Sequence, residues 1–214
     1  MFASGPNIGG GKTYQLDERT NDKGTFLDTP GLADETLRKA AGNAIYEGLK
    51  QGGNYKVLFF VTQQSGRVND QDATTIRLIL EAAPDIGRNY GIVVNKVGHK
   101  IMKLLCREGA AEKFVEVLMT AMPEENKCDL DQVLFLSVLP ELDDEDNILQ
   151  SPLKLTSEVS EKNLKQFLRE IEVARVVSAN VKPPNTESFF SMFTYIQELL
   201  KRAYQKFQNF FDQF

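Results

Sequence analysis

The sequence predicts an α/β fold: a doubly wound, mostly parallel sheet flanked by helices, followed by a C-terminal amphipathic helical extension. Three observations carry that expectation. Short apolar runs at Tyr55 to Thr62, Asn89 to Val97 and Gln132 to Val138 are nearly continuous in β-branched and aromatic residues, as strands buried on both faces of a parallel sheet require. Segments with apolar residues every three or four positions separate these runs, and strands alternating with helices make parallel crossovers. A chain of 214 residues that is 42% hydrophobic can bury one sizeable core, which favours one such domain over two equal ones.

Each element has its own local signal. Tyr14 to Arg19 alternates in polarity and reads as an edge strand. Gly24 to Asp28 (GTFLD) is a further apolar strand that ends in a carboxylate. Asp34 can cap a helix whose Leu37, Ala41, Ala44, Ile45 and Leu49 share one face, and Gly52-Gly53 stops it. After the Tyr55 to Thr62 strand, Asn69 or Asp70 starts a helix with Ala73, Ile76, Leu80 and Ala83 inward, which Pro84 ends. The Asn89 to Val97 strand runs into a loop holding His99, the single histidine, read as a solvated loop residue. A helix from about Ala110 to Met122 follows, closed by Pro123.

Beyond the Gln132 to Val138 strand the texture changes. Glu141 to Asn147 is an acidic loop, Val159 to Ile171 a helix through Leu164, Phe167, Leu168 and Ile171, and Lys182-Pro183-Pro184-Asn185 a break. Thr186 to Phe214 is then a phenylalanine-rich helix. Its Phe193, Ile196, Leu200, Ala203, Phe207, Phe210 and Phe214 step by threes and fours, a coiled-coil-like stripe. The expected division is residues 1–140, 141–181 and 182–214.

Composition narrows the function classes. Twenty-five basic against thirty acidic residues give a net charge of −5 and an isoelectric point near 5.1, so nothing draws nucleic acid or anionic lipid to the surface as a whole. An anionic ligand has to be held locally. Cys106 and Cys128 are the two cysteines and lack metal or redox spacing. Cys106 is expected to help fill a core and Cys128 to be a surface thiol in a reducing compartment. With no long apolar run and no signal-peptide layout at the start, a cytoplasmic location is expected.

In a doubly wound sheet, ligands sit beyond the carboxyl ends of the strands, which puts Asp28, Asn95 and Ser137 on one rim. A strand ending in Asp-x-x-Gly suits a site that senses a terminal phosphate. The Asp28 carboxylate can hold a magnesium ion through water, and Gly31 lets a backbone N–H approach the phosphate with no Cβ in the way. The plainer alternative is a strand, a Pro-Gly turn and a capped helix. At Asn95-Lys96 the carboxamide can hydrogen-bond a purine edge while the lysine stem covers the flat base; the plainer alternative is a polar strand end. Ser137 can add backbone contacts to the base, or simply end its strand.

Together, DTPGLADE after an apolar strand, then VLFFVT, VVNKV and FLSVLP, resemble the P-loop GTPase superfamily, closest to the AIG1/septin-like G domains of its translation-factor-like class. The resemblance spans Gly9 to Val138, and DTPGL is its most specific part. It implies a Ras-like sheet of five or six strands, GTP or GDP with Mg2+ as ligand, and a nucleotide-dependent switch at Gly9 to Thr13 and Asp28 to Ala33. Gly9-Gly10-Gly11-Lys12-Thr13 ends as the superfamily's phosphate loop ends. Its first glycine, however, would fall on Pro6, only MFAS precedes it, and TYQLDER after it reads as strand rather than helix. Thr13 is therefore expected to resemble the switch I threonine that completes the magnesium shell, with Lys12 beside it among the nucleotide contacts. The phosphate loop itself is expected outside this chain; a divergent phosphate loop at Lys12-Thr13 is the alternative.

Two departures from the family pattern matter. Gly98 stands where the family's guanine-reading carboxylate would be, and a charge-assisted hydrogen bond is worth about 1.5–3 kcal/mol, so guanine preference should weaken by roughly one to two decades. Leu32 follows Gly31 and cannot orient an attacking water as a glutamine can, so hydrolysis is expected to be slow or absent. Losing about three phosphate-loop contacts removes about 5–9 kcal/mol, against the roughly 8 kcal/mol that holds a micromolar ligand. Weak GTP binding by these residues alone is the expectation.

Two functions compete on these grounds. One is a nucleotide-dependent switch with weak or absent hydrolysis. The other is a non-catalytic G-domain remnant that serves as an interaction module through its C-terminal helix. For the Phe193 to Phe214 stripe, packing on its own domain, self-association or binding to a partner protein, and membrane-surface contact are the alternatives; Lys201, Arg202 and Lys206 make too thin a basic face for firm lipid binding.

Overall fold

The computed structural model describes residues 16–22, 24–29, 38–64, 67–137 and 158–211. Lys12, Thr13, Gly31, Leu32, the Asp34 cap, Leu37 and the acidic loop at Glu141 to Asn147 lie outside them. The fold is mixed α/β. Four strands, β4 (Val57–Gln64), β5 (Arg67–Val68), β6 (Tyr90–Val97) and β7 (Val133–Ser137), form a sheet in the order β5-β4-β6-β7. β4, β6 and β7 run parallel, and β5 turns back antiparallel on the end of β4.

Helices supply the crossovers. Between β4 and β6 lies α2 (Asp70–Ala82), with α1 (Arg38–Lys50) before β4; between β6 and β7 lie α3 (His99–Leu105) and α4 (Ala110–Met119). Of the two candidates, Asn69 and Asp70, Asn69 caps α2: its side chain accepts from the Gln71 backbone N–H at 2.9 Å, satisfying one of the four free donors of the first turn. α1 ends where Gly52 takes φ +69° and donates to the Leu49 carbonyl, a conformation only glycine adopts without steric cost.

Alternate residues of each strand separate two cores, as the two-residue period of a strand requires. Phe59, Val61, Tyr90, Ile92, Val94 and Val133 face a large cluster with α1, α2, α4 and α6 (Phe189–Phe211). Val93, with Leu58, Leu134 and Leu136, faces Phe167 and Leu164 of α5 (Glu158–Glu170) and the adjoining Ile171. Gly91 makes this second contact close: a Cβ there would overlap Ile171 Cδ1 and stand 3.1 Å from Phe167 Cζ. Lys56 Nζ bonds the Leu168 and Arg169 carbonyls at 2.6 and 2.9 Å, a cation on the negative end of α5.

Several expectations need correction. Gly24 to Asp28 does form a strand, β2 (Gly24–Asp28), but it pairs antiparallel with β1 (Asp17–Asn21) in a separate two-stranded sheet, and Phe26 is 49% exposed. Among the described residues β2 is not an interior strand, because GTFLD holds only two large apolar residues. His99 is not in a loop: it opens α3, whose N-cap is Gly98. α4 ends at Met119, while Ala121 and Met122 remain buried in the turn beyond it. β3 (Gly53–Tyr55) pairs antiparallel with β8 (Ala174–Val176), a ribbon whose short strands had no readable sequence pattern.

The cysteines also exchange places. Cys128 is buried and Cys106 exposed. Cys128 packs its sulfur 3.7 Å from Met119 Sδ in a pocket where Tyr90 Oη donates to the Asn126 carbonyl at 2.7 Å. Burial pushes the Cys128 thiol up to about 11, which makes it inert as a nucleophile. The polar spacing around it concealed this, because the residues that enclose it come from β6 and α4.

The C-terminal helix packs on its own domain. Phe189, Ile196, Leu200 and Tyr204 are buried in the large cluster and Phe193 is partly buried against it. The described half of the predicted stripe is therefore occupied by α2 and α4.

Candidate functional site

Asn95 and Lys96 lie at the carboxyl end of β6, on the rim where a parallel sheet presents ligands. Thr62 of β4 is the partner of Asn95 on one side. On the other side the register jumps: Val94 faces Phe135 and Val97 faces Ser137, so three steps along β6 match two along β7. This bulge contains Asn95-Lys96. A bulge of this kind bends the strand and redirects its side chains; both residues are exposed although the five before them are buried.

Lys96 has φ +57°, the only non-glycine with a positive φ among the described residues. Left-handed backbone costs a bulky L-residue about 1–2 kcal/mol, and such residues persist where the surroundings over-determine them. The determinants are visible. Asn95 Oδ1 accepts the Lys96 N–H at 2.8 Å, and Gln63 Nε2 donates to the Lys96 carbonyl at 3.0 Å. With Oδ1 engaged, Asn95 offers its Nδ2 donors outward, so a ligand there needs a hydrogen-bond acceptor, as a purine edge has.

The strand end beside this bulge is also fixed. Asp72 of α2 accepts from the Thr62 N–H at 2.7 Å and from Thr62 Oγ1 at 3.0 Å. Burial raises the Asp72 carboxyl above its ordinary range, against the two Thr62 bonds that lower it. Gln63 pairs with Val68 of β5, whose N–H is donated to Tyr204 Oη of α6. Burial likewise raises the Tyr204 phenol. A chain of contacts thus runs from the C-terminal helix through the β4–β5 hairpin to Lys96. Sequence reading found Asn95 and Lys96 but missed Gln63, Asp72 and Tyr204, since a Gln-Gln pair and a helix tyrosine carry no pattern of their own.

The predicted residues are brought together in part. Asn95, Lys96 and Ser137 share the rim, with Ser137 exposed opposite Val97. Asp28 ends β2 opposite Asp17, on a sheet that shares no strand with the rim among the described residues. Lys12, Thr13 and Gly31 fall outside the described residues. Gly98 leaves open space: a Cβ there meets no atom within 4 Å, and its φ of −62° suits any residue.

For a magnesium ion, the described residues supply Asp28 alone of the two expected contacts, and among them no group of three His, Cys, Asp or Glu side chains is gathered for a metal. Among the described residues, no helix is long and apolar enough to cross a membrane. No family model, curated protein or solved structure matches this chain.

Proposed function

We propose that this chain is a nucleotide-binding domain of the P-loop GTPase kind, with a Ras-like switch fold and weak or absent hydrolysis. In this reading Asn95, Lys96 and Ser137 face the base of GTP or GDP. Lys12, Thr13, Asp28 and Gly31 belong to the phosphate and Mg2+ end, with Asp28 and Thr13 as the metal contacts. The single observation that supports it is the Asn95-Lys96 bulge: a strained lysine backbone at the carboxyl end of a central parallel strand, in the place where α/β sheets bind ligands. Fold economy alone does not require strain there, since a glycine at that position would remove it.

The chemistry is recognition. Asn95 donates to a base acceptor, the Lys96 stem lies over the ring, and the absent carboxylate at Gly98 leaves the base's donor edge unread. The test is a titration of the protein with Mg-GDP followed by amide NMR. Shifts confined to Asn95, Lys96 and their neighbours at about 1 mM nucleotide, reduced in Asn95→Ala, are expected for a ligand held by about 4 kcal/mol. A spectrum unmoved around Asn95 at roughly 10 mM nucleotide, near 3 kcal/mol, refutes the reading.

The alternative, an interaction module acting through the C-terminal helix, has less support. Ile196 and Leu200, two of the residues of that stripe, are buried in the chain's own core. Sedimentation of the chain at rising concentration tests it, with self-association as the outcome in its favour.

A further inference from the structure

Resting on the nucleotide reading, we propose that Gln63 is a positioning residue for the site: it holds Lys96 in its left-handed backbone and thereby aims the Asn95 donor and the Lys96 stem at the ligand. Both peptide groups of Lys96 are held by side-chain amides. Its N–H goes to Asn95 Oδ1 at 2.8 Å and its carbonyl to Gln63 Nε2 at 3.0 Å. The first bond is between neighbours in sequence and moves with the bulge. Of the two, the second comes from another strand, and it adds to the backbone pairing of Asn95 with Thr62.

The geometry gives Gln63 the means to do this. It follows Thr62, whose backbone is the parallel partner of Asn95 and whose N–H is pinned by Asp72 at 2.7 Å. It pairs with Val68, which is held in turn by the buried phenol of Tyr204. Gln63 is thus anchored from α2 and from α6, while the residue it holds is exposed and strained. A rigid support behind an unfavourable backbone is how a recognition loop is kept in one conformation before the ligand arrives. Without the Gln63 donor, Lys96 can relax toward an ordinary strand or helical backbone, and the bulge that presents Asn95 flattens.

Gln63→Met keeps the volume and removes the donor. Two readouts in the full chain separate the possibilities: the three-bond amide coupling and Cβ shift of Lys96, which report a left-handed backbone without any ligand, and the Mg-GDP affinity. The expected result is that Lys96 loses its left-handed signature and affinity falls about two- to tenfold, the range of one hydrogen bond's net worth. In a Lys96→Gly background, where the left-handed backbone needs no support, adding Gln63→Met should cost no further affinity. Unmoved Lys96 signals in Gln63→Met overturn the proposal. So does an equal loss of affinity in both backgrounds, which would mean that Gln63 acts on the ligand by another route. If the parent chain binds no nucleotide, the nucleotide reading fails, while the Lys96 signals still decide whether Gln63 holds the bulge.

Discussion

Gly98→Asp asks the most direct question of the proposed site. A Cβ on Gly98 meets nothing within 4 Å, and the residue already has φ −62° and ψ 151°, so an aspartate enters without steric or backbone cost. Its carboxylate would stand two residues beyond Lys96, where it can accept from the ring N–H and exocyclic amine of a guanine whose other edge faces Asn95. A charge-assisted bond of about 1.5–3 kcal/mol corresponds to roughly a ten- to hundredfold gain in guanine-nucleotide affinity. Gly98 is also the N-cap of α3, and aspartate caps better than glycine by a few tenths of a kcal/mol, under about 2 °C in melting temperature for a chain of this size. Capping competes for the same carboxylate and pushes the gain toward its lower end. Calorimetric titration with Mg-GDP, Mg-IDP and Mg-ADP separates the effects: GDP should gain most, IDP less because it lacks the exocyclic amine, and ADP nothing. An equal change for all three nucleotides, or a higher melting temperature with no change in GDP affinity, would refute the reasoning that a base lies over Asn95 and Lys96.

Tyr204→Phe leaves the Val68 N–H without its buried acceptor; a loss of about 1–3 kcal/mol, or a melting temperature roughly 2–12 °C lower, is expected by calorimetry. Asp72→Asn keeps an acceptor for Thr62 and removes the charge that burial penalises. Because the folded carboxyl lies above the ordinary value of 3.8, its stabilising share is complete below that pH and is lost as pH rises through the folded value. Urea unfolding should therefore show the stability of the asparagine variant minus that of the parent rising from pH 3.5 to pH 7, and a difference that falls over this range would contradict the assignment. Gly91→Ala presses a methyl against Ile171 and Phe167 and should cost about 1–3 kcal/mol by overpacking, while Mg-GDP binding, read at the other end of β6, stays unchanged.

How much could be read in advance depended on how local each signal is. β6 and β7 were legible because a strand packed on both faces needs apolar residues throughout, and the buried YGIVV and the partly buried VLFL have them. Asn69 was legible as one of two cap candidates, beside Asp70, because capping is completed within one turn. Cys128 was misread because its burial depends on Met119 and Tyr90, nine and thirty-eight positions away in the chain. The rank of GTFLD was overstated because its place in a sheet depends on what pairs with it, and its described partner is β1 alone. For the C-terminal helix, spacing identified the apolar face but not what covers it, since the same stripe suits a core, a partner or a membrane.

At the site the division is similar. Asn95-Lys96 could be singled out because a polar pair closing an apolar strand breaks the pattern of the strand itself. The left-handed turn at Lys96, the bulge against β7 and the supporting roles of Gln63, Asp72 and Tyr204 could not, because each is a relation between strands or between a strand and a helix. Amino-acid order alone marked the long helices and the apolar strands β4, β6 and β7 and the α/β alternation they make, but not α3, β3, β5 or β8, because propensities and periodicities act within a dozen residues and need elements long enough to show them. Tertiary structure decided which strands share a sheet, which cysteine is buried and which side chains hold the strained residue, because those depend on distances between residues far apart in the chain.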